Sequence, residues 1–195
     1  MKIFDLWETS EVKIDDPGLR RYIALDGKLI PKSKGREQER FSKARVNIVE
    51  RIINKLQVPG HRGKKHRIMT KSTGKFTTRA KNVIDALKLI EKQTKQNPIS
   101  VLVKAVEHAA FRDETTTIEY GGARYLQAVD TSPMRRVNAS LRHLVHGAYD
   151  KSFKKKTTIA QALAAELIAA SQNDNTKSFA ISKRIEMERQ ADAAR

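Results

Sequence analysis

Residues 115–133 read Thr-Thr-Thr-Ile-Glu-Tyr-Gly-Gly-Ala-Arg-Tyr-Leu-Gln-Ala-Val-Asp-Thr-Ser-Pro. Two runs suited to extended chain, 115–120 and 123–129, flank the pair Gly121-Gly122, and that spacing signals a β-hairpin. An isolated hairpin is marginal in water, so this one must pack on neighbouring elements or be held by a partner. Tyr120, Arg124 and Tyr125 sit beside its tip, where rings and a cation could meet nucleotides. Equally, the two tyrosines could pair across the strands and serve the hairpin alone.

On both sides of this stretch the apolar spacing switches to the 3.6-residue period of a helix. Upstream, Val46, Val49, Ile52, Ile53 and Leu56 form one stripe of a helix over Ser42–Gln57, with Lys43, Arg51 and Lys55 on other faces. Ala80, Val83, Ile84, Leu87 and Ile90 mark a second helix, from Thr77 or Thr78 to Lys95. Asn97 caps a third opened by Pro98, with Ile99, Leu102, Val103, Val106 and Ala110 facing inward. Downstream, Ser132-Pro133 opens a helix to Tyr149 whose stripe is Val137, Leu141, Leu144, Val145 and Ala148. Thr157 or Thr158 caps an Ala- and Leu-rich helix to Ser171, and Asn173-Asp174-Asn175 breaks it. A last, polar helix over Ser178–Ala194 is thinly amphipathic through Ile181, Ile185 and Met187, which suits the surface or a partner.

The first thirty residues read as irregular chain pinned by Phe4, Leu6 and Trp7, with one short helix opened by Asp16-Pro17. Pro31–Gly35 is a basic, turn-forming linker. The expected fold is therefore mainly α, a bundle of about six helices with one protruding β-hairpin arm. Residues 1–35 form an N-terminal extension and linker, and residues 36–195 a single helical domain that carries a basic loop at 57–75 and the hairpin at 115–130.

The 195 residues carry a formal net charge of +17 and no cysteine, which excludes a disulfide scaffold, a zinc ribbon and a thiol enzyme. Apolar runs such as Ala160–Ala170 fall short of the ~18 residues of a membrane span, and Met1–Trp7 lacks the core of a signal peptide. These features predict a soluble, intracellular protein. The charge is concentrated. Residues 32–81 hold 16 Lys and Arg against 3 Asp and Glu, while residues 1–31 and 82–130 each balance to −1. The remaining +6 lies in residues 131–156, because residues 157–195 balance. Clustered like charge repels itself, and the usual compensation is a polyanion whose condensed counterions are released on binding. RNA or DNA is the expected partner. A membrane is not, because the basic stretches lack an apolar face.

No catalytic constellation emerges. His143 and His146 are three apart on a helix but have no His-Glu-x-x-His context and no third ligand, so they read as surface or phosphate-contacting histidines, not metal ligands. Gly74-Lys75-Phe76-Thr77 resembles the end of a phosphate-binding loop, yet Met69 occupies the position of its first glycine. No cofactor is implied.

Three strings and their order resemble one family. They are Gly74-Lys75-Phe76-Thr77-Thr78-Arg79-Ala80-Lys81-Asn82-Val83-Ile84-Asp85-Ala86-Leu87, then Tyr120–Tyr125 followed by Pro133-Met134-Arg135-Arg136, and then the Ala-rich Ile159–Ala170 with the basic helix after Ser178. Together they are similar to the universal small-subunit ribosomal protein S-seven family in its archaeal form, whose eukaryotic members are called small-subunit protein five. The chain departs from the bacterial pattern in its longer N-terminus and in an inserted, basic loop over 57–73.

The resemblance implies a structural protein, not an enzyme. It would bind a multi-helix junction in the 3′ major domain of small-subunit rRNA and nucleate assembly of the head among the neighbouring head proteins. Its hairpin, Tyr120, Gly121, Gly122, Arg124 and Tyr125, would reach toward the exit-site tRNA and the mRNA exit path, near platform protein S-eleven. The expected rRNA-binding donors are Lys32, Lys34, Arg36, Arg40, Lys43, Arg62, Lys64, Lys65, Arg67, Lys71, Lys75 and Arg79 in one wall. Arg135, Arg136, Arg142, Lys154, Lys155 and Lys156 form a second. Two other classes compete: a DNA-binding regulator, for which no dimerisation heptads are present, and an RNA-modifying enzyme, for which no acid/base site is present.

Overall fold

The computed structural model describes residues 2–35, 37–60 and 74–195. Among them run six α-helices: α1 (Ile48–Gln57), α2 (Phe76–Thr94), α3 (Pro98–His108), α4 (Pro133–Ser152), α5 (Ile159–Ser171) and α6 (Phe179–Ala193). Between α3 and α4 the two strands β3 (Asp113–Tyr120) and β4 (Ala123–Asp130) pair antiparallel, and a two-stranded ribbon, β1 (Lys2–Ile3) with β2 (Trp7–Glu8), starts the chain. This is the mainly α bundle with one hairpin that the spacing predicted.

The centre of the bundle is α5. Its apolar residues go all round, with Ala160, Ala162, Leu163, Ala164, Leu167 and Ala170 buried, so it packs on α2, α3 and α4 at once. A capping box closes its start: Thr158 accepts from Gln161 N–H while the Gln161 side chain accepts from Thr158 N–H. Small residues let α4 approach closely. At Gly147 an added Cβ would lie 2.7 Å from the Glu166 side chain of α5, so any larger residue would displace that carboxylate. Each fully buried large residue of the surrounding helices, such as Ile52, Leu87, Leu102 or Leu144, contributes about 1.5–3 kcal/mol by leaving water.

Several local expectations are corrected. The helix expected from Ser42 breaks: Ser42–Arg45 is a 3-10 turn, and α1 starts only after Asn47. Asn47 is fully buried, and its side chain both accepts from Val49 N–H (2.9 Å) and donates to the Asp26 carbonyl (2.7 Å), which fixes the entry of the chain. Arg51, assigned to another face, is 2 % exposed. Asp16 opens no α-helix; its carboxylate accepts from Gly18 N–H, and a 3-10 turn follows at Arg20–Tyr22. The fourth helix runs three residues further than expected, to Ser152.

The amino-terminal ribbon joins the same core through Ile3 and Trp7, and Trp7 Nε1 donates to Glu91 of α2 at 2.9 Å. The last helix is not a loose surface element: Ala180, Ile181 and Ala191 are buried, and α6 packs on α4 and on the base of β3. That packing supports the hairpin, whose outer half, from Thr116 to Gln127, stands in solvent.

Candidate nucleic-acid interface

The basic side chains divide by whether the fold already engages them. Arg136 is expected in the second basic wall, yet its guanidinium is largely buried, donating to Asp16 Oδ2 at 2.8 Å and to the Phe111 carbonyl at 3.2 Å. Burial pushes the Asp16 carboxyl up. The hydrogen bond from Arg136, the Gly18 N–H and the charges of Arg136 and Arg112 outweigh it and hold the group below its usual range. Arg135 forks onto Glu114 through Nε (2.5 Å) and Nη2 (2.6 Å), although the face of its side chain stays exposed. Lys151 points inward to Glu166, and Arg79 is buried against the bundle.

A second set is open. Lys32, Lys34, Arg40, Lys43, Lys75, Arg142, Lys154, Lys155 and Lys156 are all exposed, and none forms an ion pair among the described residues. Three of these cations lie over aromatic rings: Lys32 over Phe76 (5.0 Å), Arg40 over Phe41 (5.1 Å) and Lys154 over Phe153 (5.7 Å). Each pairing puts a ring beside a positive charge, the combination that accepts a nucleotide's base and phosphate together. Arg36, Arg62, Lys64, Lys65, Arg67 and Lys71, with most of the basic loop, lie outside the described residues.

Lys43 and Arg142 meet two cations absent from the expected donors, Lys55 and Arg51. Burial lowers the Lys43 ammonium pKa, and the charges of Arg51 and Arg142 lower it further. Burial also lowers that of Lys55, with Lys43, Arg142 and Arg51 adding to the effect. Burial alone pushes Arg51 down to about 10. One trace of this cluster was present in the sequence: Arg51 and Lys55 are like charges at i, i+4, an unfavourable spacing on an isolated helix.

At the hairpin tip, Gly121 and Gly122 have φ of +59° and +82°, the positive values that a two-residue turn of this hand requires. Tyr120 is 82 % exposed and Tyr125 60 %. They do not pair across the strands: Tyr120 faces Ala123 and Tyr125 faces Ile118, which leaves the rings in a diagonal relation on one side of the arm. Arg124 lies 3.5 Å from Glu119 in an exposed cross-strand pair of small worth.

The two histidines correct the surface assignment. His146 is 8 % exposed with Nε2 at 2.7 Å from the Pro59 carbonyl, and His143 lies between the rings of Phe111 and Phe179. Both belong to the packing of α4.

The family model described as ribosomal protein S7p/S5e matches residues 19–195. The small ribosomal subunit protein uS7 of Nanoarchaeum equitans is 51% identical over 197 residues, covering 100% of this chain and 99% of that one. The proteins of the same name from Methanothermobacter thermautotrophicus and Methanococcus maripaludis are 45% and 43% identical, each over 98% or more of both chains.

Proposed function

The chain belongs to the ribosomal protein S7p/S5e family, and from that membership we propose that it is a structural component of the small ribosomal subunit, acting in translation. The observation that carries the reading further is the open set of cations. Most of them lie on the turns and connections that flank the helices, with aromatic rings beside three of them, so the protein offers phosphate contacts and stacking faces together.

The ligand in this reading is the 3′ major domain of small-subunit rRNA, recognised by the shape of a folded junction, with few base-edge contacts. Lys contributes point charge, and Arg can also fork onto a phosphate or stack on an unpaired base. Binding there would nucleate the head of the subunit in the cytoplasm. The hairpin, standing clear of the bundle with Tyr120 and Tyr125 exposed, is suited to reach the exit-site tRNA and mRNA path beside platform protein S-eleven. Arg136 and Arg79 enter this scheme differently from the rest: the first holds Asp16 and the second is buried, so both support the surface from within.

The test is a titration of the full chain against a 3′ major-domain rRNA fragment and an equal-length duplex DNA at two salt concentrations. Specific recognition keeps a large advantage for the rRNA at the higher salt, whereas bulk charge attraction fades for both ligands alike. Equal binding and equal fading would overturn the reading.

A further inference from the structure

Among the described residues, two cavities are each lined by three basic side chains, and their chemistry differs. The larger, about 700 Å³, mixes Arg136, Arg112 and Arg184 with Asp16, Glu107 and Glu188, so its charges are matched within the protein. The smaller, about 410 Å³, lies between α1, α4 and the residues Ser33, Gly35 and Glu37, and Lys43, Arg51 and Lys55 line it against a single carboxylate, the exposed Glu37. Arg142 adds its charge from α4.

Arg51 is the informative group. It is 2 % exposed, and its guanidinium donates to the Tyr22 carbonyl (2.7 Å) and to Asn138 Oδ1 (3.3 Å). Its buried Nε–H has no hydrogen-bond partner among the described residues. A buried charged donor left unpaired is costly, as are cations crowded together, and one ligand chemistry relieves both: an anion with several oxygens. Val46, Val58 and Leu141 supply apolar wall around the cations, which suits a phosphate that carries a sugar better than a bare ion.

We propose that this cavity seats one phosphodiester group of the bound RNA, with Arg51 Nε–H, Lys43 and Lys55 as its donors and the side chains of Asn54 and Asn138 beside it. The proposal rests on the RNA-binding reading above. It singles out one contact as partly desolvated, and therefore more resistant to salt than the exposed lysines around it.

Two measurements on the full chain test it. In the first, inorganic phosphate is titrated at constant ionic strength against chloride while the Arg51 Nε–H resonance is followed by NMR. A saturable shift with phosphate alone, lost in K43A/K55A, is expected. No shift overturns the site whatever the protein does with RNA. In the second, K43A/K55A is compared with K88A/K92A, which removes two exposed charges from α2, in the rRNA salt series. Loss confined to the cavity variant, with the slope of log K against log salt reduced by no more than about 0.7 to 0.9, is expected from one phosphate. Equal small effects in both variants overturn the cavity while leaving RNA binding intact. Failure of the unaltered protein to prefer rRNA would instead overturn the underlying reading, and inorganic phosphate then still decides whether the cavity takes an anion.

Discussion

Arg136 and Arg142 stand six residues apart on α4 and live under opposite conditions. Arg136 is turned into the protein, held by Asp16 and the Phe111 carbonyl, and its charge is answered. Arg142 stands exposed beside Lys43 and Lys55, where each cation makes the next harder to keep charged. The same division recurs at the other end of the helix. Lys151 lies 2.6 Å from the fully buried Glu166, close enough to pair as charges though not aligned as a hydrogen bond, while Lys154, Lys155 and Lys156 just beyond it face water. A net charge of +17 therefore overstates what is available to a polyanion. Part of it is internal mortar, and only the remainder is held against self-repulsion until a ligand arrives.

The contrast is broken most severely at Glu166. Its Oε1 accepts from Ser178 Oγ (2.8 Å) and Ala180 N–H (3.1 Å) at the start of α6, and its Oε2 faces Lys151, so one carboxylate ties α4, α5 and α6 together. Glu166→Ala strands these donors in the core and should cost about 3 to 5 kcal/mol, read as a lowered midpoint in urea unfolding. A loss under 1 kcal/mol would show that Lys151 simply swings out to water.

Next in size is Asp16→Ala. It removes a charged acceptor from Arg136 and should cost about 1.5 to 3 kcal/mol at neutral pH. The sign with pH follows from the direction of the shift. The folded carboxyl titrates below its ordinary 3.8, so its contribution is complete above that value and disappears as pH falls through the lower folded one. Unaltered protein and variant should therefore converge in melting temperature in acid. A gap that persists there would assign the effect to packing.

The open side should respond with the opposite sign. Lys43→Ala or Lys55→Ala relieves repulsion and is expected to stabilise the free protein by about 0.2 to 0.5 kcal/mol, an advantage that shrinks toward 1 M salt. Because both ammonium groups titrate below 10.5 in the folded protein, the unfolded chain holds more protons in that window, and the unaltered protein gains stability as pH rises through it. Destabilisation on removing either lysine would place it among the engaged cations after all.

This division is also where the sequence stops being readable. Helices α2 to α6 and the hairpin were legible because their signals are local: Asn97-Pro98, Ser132-Pro133, the Gly121-Gly122 turn and apolar stripes at one period. Arg136 and Arg142 carry no such local difference. What separates them is a partner 120 residues away, Asp16, brought up by the path of the amino-terminal segment. Arg51 was misassigned for a related reason: α1 is so deeply set that Glu50, Arg51, Ile52 and Ile53 are all buried, so its stripe understates its buried surface. The early break at Asn47 is likewise tertiary, since the Asn47 side chain answers to Asp26 and not only to its own helix.

The smallest effect is expected at the tip of the arm. Tyr120 is 82 % exposed, faces Ala123 across the turn and is no member of the hydrophobic core. Tyr120→Ala should leave the unfolding free energy within about 0.5 kcal/mol, the usual range for a surface change, as measured by urea unfolding. The turn itself is fixed by the two glycines at positive φ and not by the ring, so the strands should keep their register. If removing the ring costs much more, the arm folds back on the helices in solution and its tyrosines belong with Arg136, on the side of the molecule that works for the fold. If it costs nothing, the ring is kept exposed at no benefit to the isolated chain, as a surface held ready for a ligand would be.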